Sequence, residues 1–326
     1  MRLQNGAVVA ITGAGSGIGR CLAVELSRRG VTVALSDVNK AALEETAALC
    51  KGLASVHVVD VANQIAVRIW RDFVLSTHGK CDAIINNAGM ALRGPSIAEV
   101  DYDDFRRVMD INFWGVVYGT KEFLEYFLSR DPGVASCIVN ISSVFGLVGY
   151  MRQGPYCASK FAVRGLTETL RSELLLLGHR NVHVMCVHPG GVKTNIALGG
   201  LASKVKVQPT QYELKQLNMP RDTTIEDMLG KFDGKMLISN TPEDAALTII
   251  HGIEKDANRV LIGNDARQVD WLARLLPSAY ENVMMAHAKL MLMNTDRMAL
   301  SVPVLKAITA AAAVAFGTFA LRRSRL

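Results

Sequence analysis

From Ala7 to about Val187, short apolar runs alternate with longer stretches of helical periodicity. The runs Val8–Ile11, Val31–Leu35, Val56–Val59, Ala83–Ile85, Cys137–Ile141 and Val182–Val187 are rich in β-branched residues and nearly continuous in apolar character. Strands of that kind belong to a sheet covered on both faces, and helix-length spacers between them point to parallel crossovers. Helical periodicity is clearest over Ile18–Arg29, Lys40–Leu49, Phe105–Leu128 and Tyr156–Leu177. The pattern predicts an α/β chain: a doubly wound parallel sheet of the Rossmann type, with helices on both faces.

After Pro189 the regularity lapses, and residues from about 195 to 240 read as a long insertion. Long loops in compact domains are often functional lids. Order returns at Thr241, which suits an N-cap, followed by Pro242 in the first helical turn and the acids Glu243 and Asp244 at the positive helix end. A helix to about Glu254, a seventh strand Arg259–Ile262 and helices Gln268–Leu276 and Ser278–Met293 follow. The expected organisation is one catalytic domain over residues 1–265, with a lid at about 195–240. Helices over 266–300 form a C-terminal extension packed on it, and an apolar Ala-rich tail over 301–326 ends in basic residues.

Composition narrows the function classes. Half the 326 residues are hydrophobic and 20% are charged, as in a folded globular protein. The net charge of +6 is thinly spread apart from Arg322, Arg323 and Arg325, and no basic stripe interleaved with aromatics argues for nucleic acid. The six cysteines lack a CxxC pair or any zinc-type His/Cys spacing, so no metal is expected. They read as small buried hydrophobes in a reducing cytosol. No secretory leader is recognisable, and the expected location is cytoplasmic.

The chemistry begins in the loop Thr12-Gly13-Ala14-Gly15-Ser16-Gly17-Ile18-Gly19, between the first strand and first helix. Small residues there let backbone N–H groups approach a pyrophosphate at a helix N-terminus. Asp37 ends the second strand, where a carboxylate can accept hydrogen bonds from the adenosine ribose and repel a 2′-phosphate. Neither Ser16 nor Val38 supplies a compensating base, and Arg20, just inside the helix, is expected to face solvent. NAD is therefore expected over NADP.

Tyr156 and Lys160 are four apart on a predicted helix, which stacks both side chains on one face. An ammonium beside a phenol favours phenolate and lets tyrosine exchange a proton near neutral pH. Ser143 follows the fifth strand, at the carboxyl end of the sheet where ligands bind, with Ser142 as a rival.

Taken in order, these motifs resemble the short-chain dehydrogenase/reductase family over roughly residues 5–265. The matching features are the TGxxxGxG loop, Asp60-Val61, Asn86-Asn87-Ala88-Gly89, Asn112, Ser143, the Tyr156–Lys160 pair and the run from Pro189-Gly190-Gly191-Val192 to Thr194. The resemblance implies reversible hydride transfer between NAD(H) and an alcohol or ketone, with Tyr156 as general acid/base. It implies that Ser143 orients the substrate oxygen, that Lys160 binds the nicotinamide ribose, and that Asn112 holds a water linking Lys160 to solvent. Cofactor contacts are implied for Gly13, Ser16, Gly17, Ile18 and Gly19, and for Asp37 at the ribose. Asp60 and Val61 would meet the adenine, Asn87 the adjacent ribose region, and Val192 and Thr194 the carboxamide, with further cofactor contacts implied for Ala88, Gly89, Pro189 and Gly190.

Leu198, Leu201, Leu217, Met219, Met228, Leu229, Met236 and Leu237 give the lid apolar faces, suited either to a lipophilic substrate or to the lid's own packing. The tail Ala307–Leu321 is shorter than the ~20 apolar residues that span a bilayer, so membrane-surface contact and packing on a subunit both stay open. A homodimer or homotetramer is expected, with Phe105–Leu128 and Tyr156–Leu177 in contact. The competing reading is a catalytically silent dinucleotide-binding sensor or scaffold.

Overall fold

The structure, a computed structural model, describes residues 1, 3–93, 95–194, 196, 201–202, 214–215, 221–224 and 240–293. Its centre is a seven-stranded sheet. The strands are β1 (Val8–Thr12), β2 (Thr32–Asp37), β3 (Ala54–Val58), β4 (Ala83–Asn86), β6 (Ser136–Ile141), β7 (Val182–Pro189) and β9 (Arg259–Ile262), in the order β3-β2-β1-β4-β6-β7-β9. All pairings are parallel. The order reverses between β1 and β4, which opens a crevice at their carboxyl ends.

Alternation along the strands distributes the core. Val9 and Ile11 of β1, with Val33, Leu35, Ile85, Val139 and Val187, face α1 (Gly17–Arg28) and α7 (Pro242–Glu254), from which Leu22, Leu26, Ile249 and Ile253 close the layer. Val8 and Ala10, with Ala34, Ile84, Ile138 and Val184, face the opposite layer of α3 (Gln64–His78), α5 (Gly115–Ser129) and α6 (Gly154–Leu176). There Trp70 meets Phe123 edge-on at 5.6 Å. Each such fully buried side chain stabilises the fold by about 1.5–3 kcal/mol. The other α1-side helix is α2 (Lys40–Leu49), started by Asn39, whose side chain accepts from the Ala42 N–H.

Three local features depart from the sequence expectation. The edge strand β3 has exposed Val56 and Val58, so it is not covered on both faces. The predicted helix Phe105–Leu128 is three pieces: α4 (Tyr102–Met109), a π turn over Asp110–Trp114, and α5. Four cysteines are buried, whereas Cys21 and Cys50 are half-buried; all six are free thiols.

A short strand β5 (Leu92–Arg93) pairs with β8 (Leu201–Ala202), so the insertion returns alongside the chain leaving β4. Val192 bridges Asn240, which brings together the two ends of the insertion. Most of the predicted lid and all of the tail lie outside the described residues. The C-terminal helices α8 (Asn264–Leu275) and α9 (Tyr280–Met293) follow β9. Among the described residues, no helix is long and apolar enough to cross a membrane.

Candidate active site

The phosphate loop turns on two glycines. Gly13 has φ +65, and a Cβ there would lie 2.8 Å from Ala88 Cα; a Cβ on Gly19 would collide with the Gly13 carbonyl. Side chains at these positions would fill the space between loop and helix end. Thr12 ties the loop to the neighbouring strand, its Oγ1 accepting the N–H groups of Asn87 (2.9 Å) and Ala88 (3.0 Å). Asn87 donates its amide protons to the Thr12 and Gly13 carbonyls, at 2.9 and 3.1 Å. The side chain expected near the ribose thus braces the loop itself.

Asp37 borders a cleft of about 440 Å³ lined by Gly15, Ser16, Gly17, Arg20, Asn39, Ala42 and Glu45. One carboxylate oxygen accepts the Gly15 N–H at 2.9 Å and the other the Asn39 N–H at 3.0 Å. Arg20 corrects the sequence expectation. Its guanidinium folds back across the loop to the Gly15 carbonyl (2.6 Å), Thr46 Oγ1 (3.0 Å) and Glu45 (3.0 Å). Position on the first turn brings it over α2, whose Ala42 carbonyl, Thr46 hydroxyl and Glu45 carboxylate draw it in. Glu45 offsets its charge, so the cleft keeps the acidic character Asp37 gives it.

After β3, Asp60 is exposed and accepts the Ala62 N–H at 2.9 Å. Val61 is buried, with its Cγ2 2.8 Å from where a Gly115 Cβ would stand. At the other end of the crevice, Gly17 and Thr194 approach closely: a Cβ on Gly17 would lie 3.1 Å from Thr194 Cγ2. The Pro189–Thr194 segment is clamped by residues the sequence reading passed over. Asp265 accepts the Gly191 N–H at 2.5 Å, and the Asn240 amide donates to the Gly191 carbonyl at 3.0 Å. A loop, glycines and an aspartate so arranged fit a dinucleotide stretched across the crevice, with pyrophosphate at Gly15–Gly19 and adenosine ribose at Asp37.

Ser143, Tyr156 and Lys160 converge beyond the end of β6. Ser143 is extended (φ −169, ψ 169) and caps the short turn Val144–Gly146; its Oγ accepts the Phe145 N–H at 3.2 Å. That leaves the hydroxyl proton for another acceptor. Ser142, the rival, is buried and donates to the Lys160 carbonyl at 2.8 Å, so its hydroxyl serves the helix. Tyr156 lies on the first turn of α6, with the Lys160 ammonium 5.5 Å from its ring centroid and Phe145 edge-on at 6.2 Å. Tyr150 stacks on Phe145 at 5.2 Å, but burial pushes its phenol up to about 12, so it stays protonated.

Lys160 is 3% exposed and donates to the Ile141 carbonyl at 2.9 Å. Burial lowers it from 10.5 to about 8. Gly89 lets the backbone pass close to this pair: a Cβ there would stand 3.5 Å from Lys160 Nζ and 3.3 Å from Asn112 Oδ1. Asn112 sits in the π turn, fully buried. It accepts the Met90 N–H and donates to the Met90 carbonyl, both at 2.8 Å, and donates to Ser159 Oγ at 3.1 Å. Its side chain is therefore committed to protein partners.

Two further polar groups escaped the sequence reading. Asn140 on β6 accepts from Asn86 (2.8 Å) and donates to Thr167 (3.0 Å), linking β4, β6 and α6 in the dry interior. His188, the penultimate residue of β7, is 0% exposed and reaches the Ser143 carbonyl at 3.0 Å. The signal available for both was a polar residue in an otherwise apolar buried strand.

Comparison with known proteins agrees with this geometry. The sequence model of the family described as short chain dehydrogenase matches residues 7–199. The chain is 40% identical over 284 residues to SadH of Mycobacterium tuberculosis, named as an oxidoreductase, covering 86% of this chain and 95% of that one. It is 39% identical over 200 residues to meso-2,3-butanediol dehydrogenase of Serratia marcescens, covering 61% of this chain and 76% of that one. A short chain dehydrogenase/reductase from Burkholderia phymatum, solved in complex with NAD, superposes with a TM-score of 0.70 at 27% identity, covering 88% of this chain and 97% of that one. The chain belongs to the short-chain dehydrogenase/reductase family of nicotinamide-dinucleotide-dependent oxidoreductases.

Proposed function

We propose that the chain catalyses reversible oxidoreduction between NAD(H) and a secondary alcohol and its ketone, or an alcohol and its aldehyde, with Tyr156 as general acid/base. The single observation that carries the reading is the buried Lys160 ammonium beside the Tyr156 ring, with Ser143 at the same strand end presenting a hydroxyl proton that meets no acceptor among the described residues. When bound, NAD supplies the hydride acceptor. In the oxidation direction, Tyr156 as phenolate takes the proton from the substrate hydroxyl while Ser143 holds the same oxygen. Lys160 stabilises the phenolate and, with its free donors, reaches the nicotinamide ribose. Asn112 would hold the relay water through its backbone carbonyl in the π turn, since its side chain is engaged elsewhere.

The cofactor is NAD rather than NADP, because Asp37 borders the cleft assigned to the ribose and Glu45 offsets Arg20, the cation among the described residues that line it. The substrate is lipophilic. Phe145 and Tyr150 stack beside Tyr156 and give the site an aromatic wall. The name of the Serratia relative, a diol dehydrogenase, fits a secondary alcohol. The chain works as a homodimer or homotetramer through α5 and α6, which expose Phe161 and, at their neighbouring π turn, Trp114.

An NAD-coupled absorbance screen over alcohols graded by chain length and ring content tests the reading. Turnover rising with apolar size is expected. Turnover confined to small polar alcohols would remove the lipophilic substrate, and none with any alcohol would remove the function.

A further inference from the structure

We propose that His188 is the positioning residue for Ser143: its ring, protonated on Nδ1, holds the Ser143 carbonyl and so fixes the direction in which the serine hydroxyl meets the substrate oxygen. This rests on the function proposed above.

A carbonyl oxygen only accepts, so the 3.0 Å contact between His188 Nδ1 and Ser143 O assigns the ring proton to Nδ1. Nε2 is then a bare acceptor, and among the described residues it is buried without a hydrogen-bond partner. A fully buried ring with one nitrogen unsatisfied is costly where strand neighbours such as Val184, Met185 and Val187 are apolar. The other nitrogen has the task that offsets this cost. Burial, opposed by the hydrogen bond to the Ser143 carbonyl and by Asp270 on α8 and reinforced by Arg259 on β9 and Arg164 on α6, pushes the ring down to about 4, so it stays neutral. A neutral ring with a fixed tautomer is a directional single donor.

The Ser143 peptide is gripped at two atoms. Its Oγ takes the Phe145 N–H at 3.2 Å, and its carbonyl takes both the Gly146 N–H at 2.9 Å and His188. The backbone donors belong to the turn that Ser143 itself caps and move with it. His188 is the sheet-borne grip on Ser143 itself; one residue earlier the Ser142 N–H donates to the Val187 carbonyl at 2.8 Å, where the β6–β7 pairing ends, so the turn beyond Ser142 pivots on that point. Without it the turn can rock relative to Tyr156, and a displacement near 1 Å costs about 100-fold in rate.

Two measurements test this. In the unmodified protein, long-range ¹H–¹⁵N NMR of His188 is expected to give the Nδ1–H tautomer; the Nε2–H tautomer overturns the proposal. Then kcat on an alcohol from the screen is compared with NADH Kd in two variants. H188N places an amide N–H where Nδ1 stood, whereas H188Q reaches only the Nε2 position. Retention of kcat within about threefold in H188N and a loss of about 10- to 100-fold in H188Q are expected, with NADH Kd unchanged in both. Equal kcat in the two variants, or a loss of NADH affinity in H188Q matching its loss of kcat, overturns the proposal alone. Absence of NAD-linked turnover in the unmodified protein overturns it together with the function.

Discussion

Replacing Lys160 by Met separates the stability of the fold from its chemistry. Lys160 is an ammonium in the interior, lowered by burial from 10.5 to about 8. At 1.36 kcal/mol per pH unit, that separation amounts to about 3 kcal/mol of penalty on the charged form in the folded state. The sign follows from proton counts. Below pH 8 folded and unfolded chains both carry the proton, and the folded state bears the full penalty. Between pH 8 and 10.5 the unfolded chain binds more protons than the folded one, so stability rises with pH. Met fills similar volume without a titrating group. Relative to Lys160→Met, the unmodified protein should therefore gain about 2 kcal/mol between pH 8 and pH 10. Urea unfolding of both cofactor-free proteins at pH 7, 8, 9 and 10 measures this, and the difference cancels groups the two share. NAD-linked turnover should be lost in the variant at every pH. A stability difference that stays flat from pH 8 to 10 would refute the reading of Lys160 as a buried cation.

Three further perturbations address the cofactor cleft and the buried network. Asp37→Ser removes the acceptor for Gly15 N–H and the charge facing the ribose; NADH affinity should fall about tenfold while NADPH affinity holds or rises, and fluorescence titration with an unchanged NADH/NADPH ratio would contradict it. Gly19→Ala drives a methyl against the Gly13 carbonyl, so NADH binding should weaken by at least about tenfold; calorimetry giving the original affinity would mean the loop is not the phosphate cradle. Asn140→Leu removes the acceptor for the Asn86 amide and the donor to Thr167, leaving Asn86 with Thr120 and Thr167 with the Val163 carbonyl, with an expected cost of about 1–3 kcal/mol for the two lost buried hydrogen bonds in urea unfolding. A cost below about 0.5 kcal/mol would show the network to be dispensable.

The doubly wound sheet was legible because its central strands are buried on both faces, which leaves continuous apolar runs that period and length identify. Edge strand β3 gave a weaker signal, since Val56 and Val58 are apolar yet exposed. The π turn at Asp110–Trp114 was not legible, because it inserts one residue into helical periodicity without a Gly or Pro to mark it. Tyr156, Lys160 and Ser143, the residues proposed for the chemistry, were singled out by spacing, strand position and the family resemblance together. What the sequence did not disclose is how their support is built: Arg20 folded onto Glu45, Asn87 turned to the loop carbonyls, and His188 beneath Ser143. Those are long-range pairings, set by which strands the sheet makes neighbours, and a residue type alone does not reveal its partner.

The proposed catalysis turns on proton exchange by the Tyr156 hydroxyl. Tyr156→Phe removes that oxygen and keeps the ring that meets Phe145 and Lys160. Steady-state turnover on the alcohol selected by the screen, with NADH binding followed in parallel by fluorescence, tests it directly. Turnover should disappear while NADH still binds; a variant that kept the original rate would contradict the assignment.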